Sequence, residues 1–171
     1  MKANDKAVLA WMLVFAAFVL GSSTMLFILY HEWMHIVAYG MMGIEAHLDT
    51  PTTIDAARPH AWGLWAAYPM EIMSWAILGW FIAKAKHWWI AGFPLGFALG
   101  RVLYAVGSHD YNRIALQYGP EVPGTFKGLF VMFVLPLFAI VAYLAFRRAR
   151  ERYGEDRAYD TVQEARKGVG S

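Results

Sequence analysis

Charge is almost absent from four long stretches of this sequence, residues 7–30, 62–83, 88–107 and 129–146. Of 15 Lys+Arg and 13 Asp+Glu residues, the four stretches hold only Glu71 and Arg101. Each is close to the roughly 20 apolar residues that a helix needs to cross a bilayer. A charge at mid-bilayer is costly, so its exclusion from segments of this length points to a membrane-spanning chain. Lipid offers no partner to backbone N–H and C=O groups, and such segments must pair them internally as helices. The runs do not alternate apolar and polar residues, as a β-barrel would. Composition agrees: 16% of residues are charged and mean hydropathy is +0.36, against roughly 25% charged in a soluble domain. A net charge of +2 gives no reason to expect a nucleic-acid partner. The absence of cysteine excludes disulfides, thiolate metal ligands and a thiol nucleophile.

The expectation is therefore an all-α polytopic membrane protein. A single transmembrane domain covers 1–146, with four helices at about 7–43, 62–83, 88–107 and 126–146, and 147–171 forms a charged tail, frayed or disordered. No small-residue cleavage pattern follows the first stretch, so it reads as a retained helix rather than a signal peptide. Residues 43–61, with Thr50-Pro51-Thr52-Thr53 and Arg58-Pro59, read as turns or a short extended excursion. The 84–87 link is short enough to make its flanking helices an antiparallel hairpin. Residues 108–128, with Gly119-Pro120 and Pro123-Gly124, read as loop. Gly92, Gly96 and Gly100 recur at four-residue spacing and permit close helix packing. Eleven Lys/Arg lie at the N-terminus, in the 84–87 link and in the tail, against Arg58, Arg113 and Lys127 in the two longer loops. Positive charge stays inside. Both termini are then cytoplasmic in the cell membrane, and the longer loops face outward.

The chemistry concentrates in His31-Glu32-Trp33-Met34-His35. On a helix, positions i and i+4 share a face, so both imidazoles can reach one metal ion, with Glu32 beside them to take a proton from water. Three ionisable groups within five residues of so apolar a chain mark a site. A catalytic zinc takes a third protein ligand and keeps its fourth position open. His87 lies on the opposite side in this topology, and His47 and His60 read as surface loop histidines. The Ser108-His109-Asp110 cluster closes the third helix at the same membrane side as His31 and His35, and there Asp110 is favoured over His109. Glu71 and Arg101 read as a supporting polar pair near the metal.

These residues resemble the site-2 protease family of intramembrane zinc metalloproteases. The matching parts are His31-Glu32-x-x-His35 on the first helix, a polar excursion, two further helices and an Asp-bearing motif closing the third, together covering about residues 7–112. The resemblance implies Zn2+ held by His31, His35 and Asp110, Glu32 as base, and membrane-associated proteins or peptides as substrates in the bilayer. The run here is Gly-Ser-His-Asp-Tyr-Asn, where the family usually has an Asn/Pro-rich stretch and then Leu-Asp-Gly. The family's site commonly lies toward the cytoplasm, whereas the charge asymmetry here points outward. The alternative reading is a non-proteolytic metal-binding membrane subunit or inactive homologue. A haem anchor would need a ligand from another helix, because His31 and His35 share one face.

Overall fold

An apolar run in lipid can satisfy its own backbone only as a helix, and most of this chain is helical. The computed structural model describes residues 3–21, 25–85 and 88–169. Within them α1 spans Ala3–Gly21, α2 Met25–Met41, α3 Ala61–Ile82, α4 Gly92–Val106, α5 His109–Tyr118, α6 Val122–Leu129 and α7 Leu135–Val169. A 3-10 turn, Trp88–Ala91, leads into α4. A π-helical turn, Phe130–Val134, joins α6 to α7, with Leu135 N–H donating to Phe130 O. It ends two residues before Pro136, which has no N–H to continue the regular ladder.

The mostly helical character holds, and β1 (Ala46–Thr50) and β2 (Thr53–Ala56) form an antiparallel hairpin where a short extended excursion was expected. Its pairs run from Ala46 opposite Ala56 to Thr50 opposite Thr53, with an irregularity between Leu48 and Thr50. Several other expectations change. The single helix expected at 7–43 is two, α1 and α2, and residues 22–24 between them lie outside the described residues. The ring of Phe27 lies 4.1 Å from that of Phe97, and the backbone of Phe15 lies against Gly96. The rings of Phe18 and Phe27 lie 6.1 Å apart. On one straight helix residues nine apart are separated by about 13.5 Å along the axis and face opposite sides, so α1 and α2 are not one straight helix. The 108–128 segment is helix rather than loop, because Ser108 caps α5 and Pro123 sits in the first turn of α6. The tail continues α7 as helix to Val169, carrying Arg147–Glu151 and Arg152–Glu155 ion pairs along its exposed face. His87 lies outside the described residues.

α3 is the centre of the bundle. α2 runs antiparallel to it, placing Tyr30 opposite Ser74, His31 opposite Glu71 and His35 opposite Gly63. α4 runs antiparallel along another side, placing Leu95 against Gly79, Arg101 against Glu71 and Ser108 against Tyr68. α7 closes a core of Tyr68, Ile72, Val102, Ala105, Phe130 and Val134. One end of the molecule gathers the start of α1, the 3-10 turn and the beginning of the tail, where Trp11 meets Phe146 and Trp88 meets Tyr153. The opposite end carries the hairpin, α5 and the histidines of α2.

Two helical stretches, Trp88–Tyr118 and Val122–Gln163, are long and apolar enough to cross a membrane. Large apolar side chains such as Leu13, Phe81, Met132, Phe133 and Ile140 point outward from the bundle. A surface of that kind suits lipid better than water.

Gly92 and Gly96 let α1 approach α4 backbone to backbone. A Cβ on Gly92 would stand 2.6 Å from Trp11 O, and one on Gly96 would collide with Phe15 O. Backbone cannot swing aside as a flexible side chain can. Gly96→Ala is therefore expected to destabilise the folded protein by about 1–3 kcal/mol. Gly124→Ala, where a Cβ meets nothing within 4 Å, serves as the matched control in thermal unfolding in detergent.

Candidate metal centre

The site begins with the spacing of His31, His35 and Tyr39, which stacks three side chains on the α2 face toward α3. α2 ends just beyond them. Ile44 N–H donates to Tyr39 O at 2.9 Å and Gly43 N–H to Gly40 O at 3.0 Å, with Gly43 at φ 70. This is a Schellman stop, and its left-handed residue favours glycine. His60 caps the start of α3 by accepting from Trp62 N–H, which brings Gly63 beside His35. A Cβ on Gly63 would stand 2.5 Å from the Tyr39 ring, so the close approach of α2 and α3 requires glycine there. On the remaining side, Ser108 accepts from Asp110 N–H at 3.1 Å and fixes Asp110 in the first turn of α5.

These elements bring three ligand-type atoms together. His31 Nε2 and His35 Nε2 are 3.2 Å apart, and each is 3.5 Å from Asp110 Oδ2. Both rings have their other nitrogen engaged. His31 Nδ1 donates to Glu71 Oε2 at 2.9 Å, and His35 Nδ1 donates to Gly63 O at 3.0 Å. In that tautomer the two Nε2 lone pairs face each other and a carboxylate oxygen. Three acceptors with no proton between them repel unless a cation joins them. Zinc bonds of about 2.0–2.1 Å in a tetrahedron give ligand–ligand edges of about 3.3–3.4 Å, close to the observed triangle. The donor set therefore fits a divalent cation. Two nitrogens 3.2 Å apart cannot stand on opposite faces of a porphyrin, which removes this pair as haem sandwich ligands.

The surrounding contacts orient the ligands. Glu71 Oε2 also accepts from Arg101 Nε at 2.9 Å, so one buried carboxylate joins α2 and α4 through α3. Carboxylate-held histidines are the usual outer arrangement of metal sites. Tyr68 donates to Asp110 Oδ2 at 2.6 Å and is hydrogen-bonded to Ser108 Oγ, while its ring lies 4.5 Å from that of His31. Glu32 is nearly buried, close enough to His31, His35, Asp110 and Arg113 to feel their charges. Among the described residues its carboxylate makes no hydrogen bond.

The sequence-designated residues thus divide. His31, His35 and Asp110 meet, Glu32 borders them, and Glu71 and Arg101 form a buried pair that reaches His31. His109 is exposed and stays outside the cluster, because the turn of α5 that aims Asp110 inward aims its neighbour outward. His47 and His60 are exposed. Tyr68 and Gly63 are additions. Tyr68 was discoverable from its spacing, since it lies three residues before Glu71 and shares its helix face. Gly63 carried no signal, because its role is played by a backbone carbonyl. Neither a protein-family model, nor a curated protein, nor a solved structure matches this chain.

Removing one partner of a buried ion pair strands the other charge, typically at about 3–5 kcal/mol. Arg101→Met is expected to show that loss in chemical unfolding. The double variant Glu71→Gln with Arg101→Met should recover part of it in a double-mutant cycle.

Proposed function

We propose that this protein is an intramembrane zinc metalloprotease, a minimal relative of the site-2 protease family, that hydrolyses peptide bonds of membrane-associated substrates. The observation that carries the reading is the triangle of His31 Nε2, His35 Nε2 and Asp110 Oδ2, with edges of 3.2, 3.5 and 3.5 Å, beside the Glu32 carboxylate, which makes no hydrogen bond among the described residues. We read the chain as crossing the membrane four times, α1 and α2 together making the first crossing. The N-terminus, the 84–87 link and the tail then lie in the cytoplasm, and the hairpin and α5 face outward. The gathering of the start of α1, the 3-10 turn and the tail at one end of the bundle supports that arrangement.

His31, His35 and Asp110 would hold the zinc. When bound, zinc supplies a Lewis acid that polarises a peptide carbonyl and acidifies water. Glu71 and Gly63 keep both imidazoles in the tautomer that turns Nε2 toward the ion. Tyr68 and Ser108 hold Asp110 by its carboxylate. Glu32 takes the proton of the attacking water and passes it to the departing amide nitrogen. A substrate helix must unwind at the cleaved bond, since helical carbonyls are occupied by their own hydrogen bonds.

Purified protein is expected to carry about one zinc per chain. The metal should be lost in His31→Ala and His35→Ala, weakened in Asp110→Ala and retained in His109→Ala. Glu32→Gln should keep the zinc while cleavage of a co-reconstituted membrane substrate falls at least about a hundredfold. Elemental analysis and cleavage on the same preparations check both. A Glu32→Gln variant as active as wild type would sink the mechanism, and zinc without cleavage in wild type would identify a metal-binding subunit instead.

The orientation has its own test, because the chain contains no cysteine. Thr52→Cys in the hairpin should react with an impermeant thiol reagent in intact cells, and Asp160→Cys should react only after lysis. The reverse pattern would invert the topology.

A further inference from the structure

Beyond the ligand triangle, both ligand-bearing helix faces continue into a polar cavity of about 210 Å³. On α5, Asp110, Arg113 and Gln117 are spaced i, i+3 and i+7 and form one stripe. On α2 the His31–His35 stripe runs on to Tyr39. Arg113, Gln117 and Tyr39 line the cavity, together with Asp55 of β2. Arg113 is only partly exposed, and among the described residues it makes no hydrogen bond or ion pair, not even with Asp55 across the same cavity. The acidic groups around it are Asp110, one turn back on the same stripe, Glu32, whose carboxylate its charge favours, and Asp55 on the cavity rim. A half-buried cation aimed into a polar cavity beside a reaction centre is suited to an anionic group of the ligand.

We propose that Arg113, with Gln117 beside it, binds a carboxylate of the substrate one or two residues from the cleaved bond, so that the enzyme selects acidic segments. The inference rests on the peptidase reading of the metal centre. The distance comes from geometry. One helical turn from Asp110 to Arg113 rises about 5 Å, and an extended peptide advances about 3.3 Å per residue. The carboxylate is either an Asp or Glu side chain or a free chain terminus, and Arg113 meets both with the same planar pair of donors.

The test uses full-length, zinc-loaded protein in lipid vesicles. The probes are synthetic transmembrane peptides with an extended polar segment on the hairpin side, carrying Glu, Gln or Lys at successive positions. A second pair ends at the same positions in a free carboxylate or an amide. Mass spectrometry gives the cut position and the initial rate. Wild type is expected to cut about tenfold faster when a carboxylate lies one or two residues from the bond. Whether the effect appears in the Glu series or in the terminal pair identifies which carboxylate the pocket takes. Arg113→Gln should level the preference. Arg113→Glu should reverse it toward Lys, a gain that a misfolded variant cannot produce. Equal rates for Glu and Gln peptides and for the carboxylate and amide pair in wild type, or an acidic preference surviving both substitutions, overturns the inference and leaves the peptidase reading intact. Zinc-bound wild type that cuts no peptide ends both.

Discussion

Glu71 is fully buried in α3, and the geometry around it depends on how that charge is met. A single oxygen, Oε2, receives Arg101 Nε from α4 and His31 Nδ1 from α2, each at 2.9 Å. Three helices are thereby tied at one level of the bundle by groups that could not be stable there alone. A buried carboxylate costs several kcal/mol in lost hydration, and only a well-placed partner offsets it. The same contact fixes which nitrogen of His31 carries the proton. The ion pair that specifies the packing therefore also sets the chemistry of the site.

The ligand triangle is the consequence. His35 receives its orientation from a backbone carbonyl at Gly63, and Asp110 from Tyr68 and Ser108. Each ligand is held by a different kind of group, a carboxylate, an amide carbonyl and hydroxyls, all drawn from α3 or the start of α5. α3 thus acts as the template against which α2 and α5 present their donors. Close approach makes this possible. Without glycine at 63 the Tyr39 ring would keep α2 away, and without glycines at 92 and 96 the backbone of α1 could not lie against α4.

The cavity beside the triangle is built by the same logic. Helical periodicity carries the Asp110 face on to Arg113 and Gln117, and the His35 face on to Tyr39. The hairpin supplies the remaining wall through Ile54, Asp55 and Ala56.

Local rules made much of this legible. The exclusion of charge from long apolar runs announced helices, and α3 and α4 lie within a residue or two of where those runs placed them, once the 3-10 turn is counted with α4. The i, i+4 spacing put His31 and His35 on one face, and the antiparallel 84–87 link brought the ends of α2 and α4 to the same side, which made Asp110 a ligand candidate. The division into α1 and α2 and the helices within 108–128 were not legible, and for the tail the sequence left a frayed helix and disorder both open. An apolar run looks the same whether it is one helix or two, and a Gly-Pro pair marks a boundary without determining whether helix or loop lies beyond it. His109 and Asp110 were inseparable for a related reason. Adjacent residues point about 100° apart on a helix, and only the docking of α5 against Tyr68 decides which one turns inward. Sequence by itself determined the helical character, the shared face of the histidines and the need for Glu71 and Arg101 to find each other. Tertiary structure alone decided the third member of the triangle, the tautomers and the partners Tyr68 and Gly63, because these depend on distances between residues far apart in the chain.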